Sequence, residues 1–526
     1  MRSGAKNSWD SRCRKIMTSA SKKISKLLIA NRGEIAVRVI RACREMSIRS
    51  VAVYSDIDKH APHVRMADEA YWIGAAPSSE SYLKIDSIIE VAQKSGASAI
   101  HPGYGFLAEN SNFAKACQKN SIAFLGPKPE TIGLLGDKLK ARKIAIECGL
   151  PVAPGAEISL GETKRSFEEA RKIGYPVLVK AAAGGGGKGM RIAADESELA
   201  QAMESASREA KSAFADERIF LEKYLEKPRH IEVQIFGDTH GNYVHLCERE
   251  CSIQRRYQKL IEESPSPFVT SELREEICSA AVNIARACEY VGAGTVEFLL
   301  DKNGKFYFLE VNTRLQVEHP VTEMVTGFDL VREQIRVAEG HKLSFSQSEV
   351  KQRGWSIEAR ISSEDSSNNF LPSSGKITHY REPSGPGVRV DSGIDANSEV
   401  SVHYDPLLAK LIVWGADREQ AIQRAKRALD EFKISGVNTT VGFAREIIDS
   451  AEFKKGDLST SFIEDYFKNN SRPDFSDEEF RIAAIVAAVL KFRESQTLRP
   501  MVLRRHGEES RWKSLIHSDH SRNGWK

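Results

Sequence analysis

The sequence predicts a multidomain protein that combines α/β and α+β architecture, and three observations support this. Apolar runs typical of buried strands alternate with amphipathic helices from residue 26 to residue 125. From residue 230 onward, strand-like segments dominate and helices become rarer. The chain has 526 residues, whereas a single core rarely exceeds about 300. We therefore expect about three or four domains.

The first predicted domain covers residues 24–136. Lys26–Ala30 is an apolar run typical of a buried parallel strand. A turn leads into a helix of Ile35–Met46, and Ser50–Tyr54 follows as the next strand, which completes a βαβ unit. The same alternation continues with helix Ser87–Lys94, strand Ala99–Ile100, helix Phe113–Lys119 and strand Ile122–Leu125.

The second predicted domain covers residues 137–340 and includes a smaller α/β unit at about residues 152–222. A helix of Asp137–Glu147 opens the domain and ends where Gly149 and Pro151 follow, as is typical of a helix C-terminus. The smaller unit contains helix Ser166–Ile173, strand Val177–Lys180, a glycine-rich loop, helix Glu196–Lys211 and strand Arg218–Lys223. The remainder contains strands Ile231–Phe236, Tyr243–Glu248, Thr295–Leu300 and Lys305–Asn312, with helices Ser271–Glu289 and Gly327–Glu339.

The third predicted domain covers residues 355–467 and has an antiparallel pattern. Trp355–Ser363 begins the domain as a strand, and a helix of Arg418–Phe432 is expected to pack on the sheet. Glycine and proline clusters predict turns at Pro372–Gly375 and Glu382–Gly385.

The two ends of the chain are predicted to lie outside these domains. Residues 1–23 form a basic leader without the apolar region of a secretory signal, so we expect it to be disordered. A transit peptide and a start at Met17 are the alternatives. Residues 468–526 form a tail that either docks a partner or is disordered, and Ile482–Leu490 within it is predicted as a buried or docking helix.

The composition excludes several classes of function. The formal net charge of +4 gives no reason to expect nucleic acid as a partner. No apolar run reaches the ~18 residues that span a membrane. The eight cysteines show neither a disulfide framework nor a zinc spacing, which favours a reducing compartment. We therefore expect a cytoplasmic protein.

A glycine-rich loop follows the predicted strand that ends at Lys180. Gly184–Gly187 can expose successive backbone N–H groups, and Lys188 adds a positive charge. Such a loop is suited to phosphate oxygens, especially with Lys180 at the strand end. The alternative is a surface loop without a ligand.

Two carboxylates are predicted to meet across a hairpin. Glu297 and Glu310 lie among apolar residues on successive strands, and the turn Asp301–Gly304 joins those strands. Adjacent buried carboxylates repel each other unless a cation lies between them. Asn312 is on the same strand face as Glu310, so the set is typical of a Mg²⁺ site shared with nucleotide phosphates. The alternative is a pair of solvated edge-strand glutamates.

The segment Arg314–Pro320 follows this hairpin directly. Arg314 offers a planar pair of donors for a small oxyanion. Glu318 is close enough in sequence to act on the same anion, and a carboxylate beside an arginine stays ionised, as a general base requires. A structural loop held by an ion pair is the alternative.

A fourth segment, Glu248–Lys259, carries many charges. Its charge density is too high for a typical core strand. We therefore expect either a solvated loop or a basic lid around an anion.

Taken together and in their order along the chain, these segments make the sequence resemble the biotin carboxylases, the ATP-grasp components of acetyl-CoA, propionyl-CoA and pyruvate carboxylases. The resemblance covers about residues 26–467. It implies an N-terminal Rossmann-like domain, an ATP-grasp domain with a mobile lid subdomain, and a C-terminal mixed α+β biotin carboxylase domain. The segments that carry it are IANRGEIAVRVIRA, HPGYGFLAEN, KAAAGGGGKGM, EKYLEKPRHIEVQ, ERECSIQRRYQK, GAGTVEFL and EVNTRLQVEHPVTE.

The resemblance implies roles for individual residues. It departs from many family members at Tyr257, where they have histidine or asparagine, and from some at Ala183, where they have glycine. Nucleotide contacts are implied for Lys138, Lys180, Gly186, Gly187, Glu222, Lys223, Tyr224, Leu225, His230, Gln254, Tyr257, Glu297 and Glu310. Ligands of Mg²⁺ or Mn²⁺ are implied at Glu297, Glu310 and Asn312. The implied catalytic and substrate residues are Lys259, Arg314, Gln316, Val317 and Glu318 for bicarbonate and Arg360 for biotin.

The resemblance also implies a reaction and partners. Glu318 would deprotonate bicarbonate, which attacks ATP to give carboxyphosphate, and Arg360 would stabilise the biotin enolate that takes up CO₂. No Ala-Met-Lys-Met segment for biotin attachment occurs, so the implied partners are a separate biotin carboxyl carrier protein, a carboxyltransferase subunit, and a second copy of this chain in a homodimer. The alternatives are another ATP-grasp ligase, which joins a carboxylate to an amine or thiol, and a non-catalytic scaffold protein of the same fold.

Overall fold

The computed structural model describes residues 23–158, 160, 163–182, 190–214, 216–470 and 477–497. The predicted leader therefore lies outside the described residues except for Lys23, and so do Gly186 and Gly187 of the glycine-rich loop. The chain divides into two compact units, residues 1–465 and 466–526.

The amino-terminal part of the first unit is a parallel five-stranded sheet flanked by helices. Its strand order is β3-β2-β1-β4-β5. Leu27 and Ile29 pack on one face and Leu28 on the other, which is why this strand reads as a continuous apolar run. The elements are β1 (Lys26–Ile29), α1 (Gly33–Glu45), β2 (Arg49–Ser55), α2 (Pro62–Met66), β3 (Glu69–Gly74), α3 (Ile85–Ser95), β4 (Ala99–His101), α4 (Ser111–Lys119), β5 (Ala123–Phe124) and α5 (Pro129–Leu135).

A small antiparallel sheet with its own apolar core follows. The side chains of Val177, Leu199 and Leu221 belong to this separate core. Gly149, with φ +77°, follows the first helix of the segment as predicted. The elements are α6 (Lys138–Glu147), β6 (Gly155–Ile158), α7 (Thr163–Ile173), β7 (Val177–Ala181), β8 (Arg191–Ala193), α8 (Glu196–Phe214) and β9 (Ile219–Lys223), with strand order β6-β9-β7-β8.

The next segment supplies most of a large antiparallel sheet. Helix Gly327–Glu339 was predicted here, but Gly327, with φ +79°, instead ends a separate helix, and the second helix begins three residues later. The elements are β10 (Arg229–Gly237), β11 (Tyr243–Arg255), β12 (Gln258–Ser264), α9 (Ser271–Ala287), β13 (Gly292–Leu300), β14 (Phe306–Asn312), α10 (His319–Thr326) and α11 (Leu330–Ala338).

The remaining strands of the first unit extend the same sheet. Ile261 of β12 pairs with Ala359, so one sheet continues across the predicted boundary between the second and third domains. The elements are β15 (Trp355–Ser362), β16 (Glu364–Asp365), β17 (Leu371–Pro372), β18 (Gly375–Lys376), β19 (His379–Arg381), β20 (Val388–Ser392), β21 (Glu399–Val400), β22 (Leu407–Gly415), α12 (Arg418–Glu431), β23 (Lys433–Ser435), α13 (Val441–Asp449), α14 (Ala451–Lys455) and α15 (Phe462–Asn469). The order of the large sheet is β14-β13-β10-β11-β12-β15-β22-β20.

The charged segment Glu248–Lys259 is not a solvated loop, so that alternative is wrong. Most of it is the second half of β11, an inner strand in which Glu248, Arg249 and Glu250 are buried. The charges are tolerated in the core because they pair with charges on neighbouring elements. Arg256 and Tyr257, both with positive φ, form the two-residue turn to β12.

One helix, α16 (Asp477–Thr497), lies wholly within the described residues of the second unit. Ile482, Ile485, Val489 and Leu490 are all at least half exposed, so the interpretation of Ile482–Leu490 as a buried helix is wrong for the isolated chain. Its interpretation as a docking helix stays a prediction. Among the described residues, no helix has the length and apolar content needed to cross a membrane.

Candidate active site

Three carboxylates form a row across the large sheet. Glu232 of β10 pairs directly with Glu297 of β13, which pairs in turn with Glu310 of β14. Directly opposite residues of antiparallel strands have Cβ atoms about 5 Å apart. The predicted pairing of Glu297 with Glu310 across the hairpin is confirmed, and the structure adds Glu232 to the row.

The central carboxylate of this row is enclosed by polar groups. Glu297 is buried, and Asn312 and Gln316 donate hydrogen bonds to its Oε1 atom at 2.7 and 2.8 Å. The alternative of a solvated edge-strand glutamate is therefore wrong for Glu297. Glu310 does lie on an edge strand, and its side chain is partly exposed.

Positive groups offset the charge of the row. Lys138 Nζ lies 3.1 Å from Glu310, and His230 Nε2 lies 2.9 Å from Glu297. Burial disfavours the imidazolium, but Glu297 and Glu232 outweigh burial and raise the pKa of His230 to about 10. Ligand atoms of His230, Glu232 and Glu297 all lie within 4.8 Å of one another. The carboxylate oxygens of Glu232 and Glu297 in this group are donors that fit Mg²⁺.

Lys259 connects this row with the loop that follows β14. Its Nζ atom contacts Glu232, and it lies 3.2 Å from Glu297 and 2.7 Å from Glu318. Burial opposes the ammonium charge, yet the three carboxylates raise the pKa of Lys259 well above its usual value. Lys259 is therefore charged and neutralises part of the carboxylate cluster.

Glu318 is held between two cations. Its Oε1 atom accepts from Lys259, and its Oε2 atom lies 2.9 Å from Arg360 Nη2. Burial alone would raise the pKa of Glu318, but Lys259 and Arg360 lower it below its usual value. The carboxylate is thus ionised, as predicted, although the arginine beside it is Arg360 and not Arg314.

Arg314 lies on the same loop and has different partners. Its Nε atom donates to Glu109 at 2.8 Å, and its Nη2 atom donates to Asn312 Oδ1 at 3.0 Å. Glu109 also accepts from the backbone N–H of Thr313 at 2.9 Å. A residue of the amino-terminal part of the chain therefore orients the arginine of the predicted oxyanion site.

Arg360 is positioned from the neighbouring strand. Its Nε atom lies 2.6 Å from the buried Glu262, and its Nη2 atom reaches Glu318. Arg249 donates to the Gln316 side chain at 2.5 Å, and Lys410 donates to the Val317 carbonyl at 2.6 Å. All the residues predicted for the oxyanion and biotin thus converge around the loop Asn312–Glu318.

The predicted phosphate-binding lysines are Lys138, at the start of α6, and Lys180, near the end of β7. Lys180 at the end of β7 contacts Glu222 of β9, and Arg142 lies 3.0 Å from the same carboxylate. The backbone N–H of Lys138 donates to the carbonyl of Ala182, which links the start of α6 to the strand before the glycine-rich loop. Lys138 and Lys180 therefore both lie near Ala182, the last described residue before this loop.

The predicted adenine-contacting segment joins β9 to β10. Lys223 donates its ammonium hydrogens to the carbonyls of Gly174 and Tyr175 at 2.9 and 3.0 Å, so its side chain secures the small sheet. Tyr224 and Leu225 are half-buried. Gln254 is buried near the end of β11, and Tyr257 is half exposed in the turn that follows.

Six residues described in the site were not singled out from the sequence: Glu109, Arg142, Glu232, Arg249, Glu262 and Lys410. Glu232 had a detectable signal, because His230, Glu232 and Gln234 alternate with apolar residues and so share one strand face. Glu109 and Glu262 come from distant segments, and only the tertiary fold brings them to Arg314 and Arg360.

Three family models match successive parts of the chain. They are "Biotin carboxylase, N-terminal domain" over residues 23–132, "Carbamoyl-phosphate synthase L chain, ATP binding domain" over 137–346, and "Biotin carboxylase C-terminal domain" over 358–465.

Curated relatives and solved structures agree with these models. The biotin carboxylase of Nostoc sp. is 52% identical and covers 85% of this chain and all of its own length. Biotin carboxylase 1 of Bacillus subtilis is 51% identical and covers 84% of this chain and 99% of its own. The biotin carboxylase domain of Hydrogenobacter thermophilus 2-oxoglutarate carboxylase, solved as a dimer with MgADP, ADP and bicarbonate, has a TM-score of 0.84 and 46% identity and covers 86% of this chain and all of that one. This chain belongs to the biotin carboxylase family.

Proposed function

We propose that this chain is a biotin carboxylase that uses ATP, Mg²⁺ or Mn²⁺ and bicarbonate to carboxylate biotin on a separate carrier. The observation that supports the proposal is that a metal-binding type of site and an anion-binding type of site adjoin each other. The carboxylate row with Glu297 and Glu310 adjoins the loop that holds Arg314 and Glu318, and Lys259 contacts both sites. Metal-bound nucleotide and a small anion would thus be held side by side.

In this proposal the acidic residues bind the metal ion and the lysines bind the phosphates. Glu297, Glu310 and Asn312 would hold the metal ion, which when bound neutralises charge on the transferring phosphoryl group. Lys138 and Lys180 would bind the phosphates together with the glycine-rich loop. Both lysines pair with carboxylates in the structure, Lys138 with Glu310 and Lys180 with Glu222.

The bicarbonate chemistry centres on Glu318. Arg314, Gln316 and the Val317 backbone would hold the anion, and Glu318 would remove its proton. The resulting carbonate oxygen attacks the γ-phosphorus, ADP leaves, and carboxyphosphate forms. Carboxyphosphate breaks down to CO₂ and phosphate. The released phosphate would take the proton from the ureido nitrogen of biotin. Arg360 would stabilise the resulting enolate oxygen, and the deprotonated nitrogen would attack CO₂.

The domain organisation belongs to the same proposal. Residues 24–136, 137–340 and 355–467 would be the amino-terminal, ATP-grasp and carboxyl-terminal domains. Residues 152–222 would form a lid over the nucleotide. The separate core of this segment supports a lid, because a unit with its own core can move as a body.

Turnover by the purified chain tests the proposed function. With MgATP present, we expect ADP release to depend on bicarbonate and to rise when free biotin is added. ADP release that needs an amine or thiol acceptor and ignores biotin would indicate another ATP-grasp ligase. ATP binding without any turnover would indicate a non-catalytic scaffold protein.

Partners follow from the reaction. A biotin carboxyl carrier protein would present biotin, and a carboxyltransferase subunit would pass the carboxyl group to acetyl-CoA, propionyl-CoA or pyruvate. A homodimer is supported by the dimeric Hydrogenobacter domain. Purification of the tagged chain from its native cell should recover a biotinylated chain and a carboxyltransferase, and light scattering should give twice the mass of one chain.

Arg314→Ala tests the anion site separately from the nucleotide site. We expect kcat for bicarbonate-dependent ATP cleavage to fall by about 10²-fold, because the anion loses its planar pair of donors. Glu109 is partly exposed, so it can be solvated after the change and the fold should persist. ATP affinity, measured by calorimetry, should stay within about twofold of wild type. Near-normal kcat would remove Arg314 from the site.

A further inference from the structure

Lys410 of β22 is fully buried, and the proposed reaction does not use it. Fully buried lysines are rare unless they are paired. Its Nζ atom donates to the Val317 carbonyl at 2.6 Å and lies 3.5 Å from Glu34 and 3.9 Å from Asp391. The ammonium group thus joins an amino-terminal helix, a carboxyl-terminal strand and the loop of the candidate active site.

The contact of Lys410 with Val317 acts directly on Glu318. The Val317 carbonyl belongs to the peptide group that links Val317 to Glu318, so fixing this carbonyl fixes the plane from which the Glu318 side chain projects. Glu318 stands at the start of α10, where its own side chain makes no capping hydrogen bond to the described helix. Lys410 therefore restrains the backbone directly before the residue whose carboxylate is the proposed base.

Arg360 is a second cation that holds Glu318, and it lies next to Lys410 in the sheet. Arg360 pairs with Lys410 across β15 and β22, and directly paired residues project from one face of a sheet. Arg360 binds the Glu318 carboxylate, while Lys410 binds the carbonyl just before it. Backbone and side chain of Glu318 are thus held by neighbouring residues of one rigid sheet.

We propose that Lys410 is a positioning residue for the carboxylation reaction, in which its hydrogen bond to the Val317 carbonyl holds the Glu318 carboxylate in place. The inference rests on the proposed function of Glu318. In this proposal Lys410 does not contact ATP, the metal ion or biotin. Loss of Lys410 should therefore slow the chemical step and leave nucleotide binding intact.

Lys410→Met tests this, because methionine has a similar length but no donor and no charge. We expect kcat for bicarbonate-dependent ATP cleavage to fall by about tenfold or more, with KM for ATP within about twofold. Lys410→Arg, which keeps donors and charge, should recover part of kcat. Lys454→Met, at a partly exposed lysine that contacts Asp449, is the matched control and should leave both constants unchanged.

Different results of these experiments would contradict the positioning role of Lys410 and the proposed biotin carboxylase function. Wild-type protein without bicarbonate-dependent turnover would overturn the proposed function itself. Active wild type together with a folded Lys410→Met variant of normal kcat would overturn the positioning role, as would equal losses in kcat and ATP binding. If Lys410→Met does not fold, Lys410→Gln replaces it with the same expectation. Failure of both variants to fold would show a purely structural lysine and would also overturn the positioning role.

Discussion

Glu318→Gln is expected to lower kcat for bicarbonate-dependent ATP cleavage by about 10²–10⁴-fold, the range typical of losing a general base. Glutamine keeps the shape of the side chain but cannot take the proton from bicarbonate. Its NH₂ group would also face a donor, because Lys259 and Arg360 both donate to the present carboxylate. ATP affinity should change little, since Glu318 is assigned no nucleotide contact.

Steady-state kinetics with saturating ATP and biotin, together with calorimetric titration of nucleotide, separates these two effects. Glu333→Gln is a matched control, because Glu333 of α11 is also a buried carboxylate but accepts from Ser344, outside the site. It should retain wild-type kcat. A Glu318→Gln variant with more than about a tenth of wild-type kcat would show that another group takes the proton.

The arrangement around Glu318 explains how a base can be buried and still ionised. Burial without partners would raise its pKa and keep it protonated. Lys259 and Arg360 reverse this effect, and Lys259 is itself kept charged by Glu232 and Glu297. Glu318 and Arg360 are therefore linked to the carboxylate row through Lys259.

Local patterns in the sequence predicted most of the elements that carry these residues. The apolar run at β1, the hairpin between β13 and β14 and the glycine after α6 all depend on short-range physics, and the structure has them where predicted. The pairing of Glu297 with Glu310 followed from strand alternation and from the turn Asp301–Gly304 that joins the two strands. Such features are predictable because a few neighbouring residues determine them.

The prediction failed where distant residues decide the outcome. The density of charge at Glu248–Arg255 suggested exposure, because isolated charges are costly in a core. The partners of these charges are far away in sequence: Arg274 for Glu248, and Glu232 and Gln316 for Arg249. Burial of a charged strand could not be inferred before those partners were placed.

Arg249→Met is expected to destabilise the fold by about 3–5 kcal/mol, the typical result of removing one member of a buried ionic network. The Arg249 side chain is fully buried, and it donates to Gln234, Thr322, Glu232, Thr295 and Gln316. Methionine fills much of the volume but satisfies none of these acceptors. Chemical denaturation followed by circular dichroism measures the loss.

The exposed Arg332 on α11 provides the comparison, because Arg332→Met removes the same charge and the same volume at the surface. Its effect should stay within about 0.5 kcal/mol, as is usual for surface substitutions. If Arg249→Met cost no more than Arg332→Met, the buried acceptors would have to be satisfied by water or by one another. A large difference would instead show that the paired charge of Arg249 supports the fold. Pairing of this kind allows a charged strand such as β11 to lie in the core beside the active site.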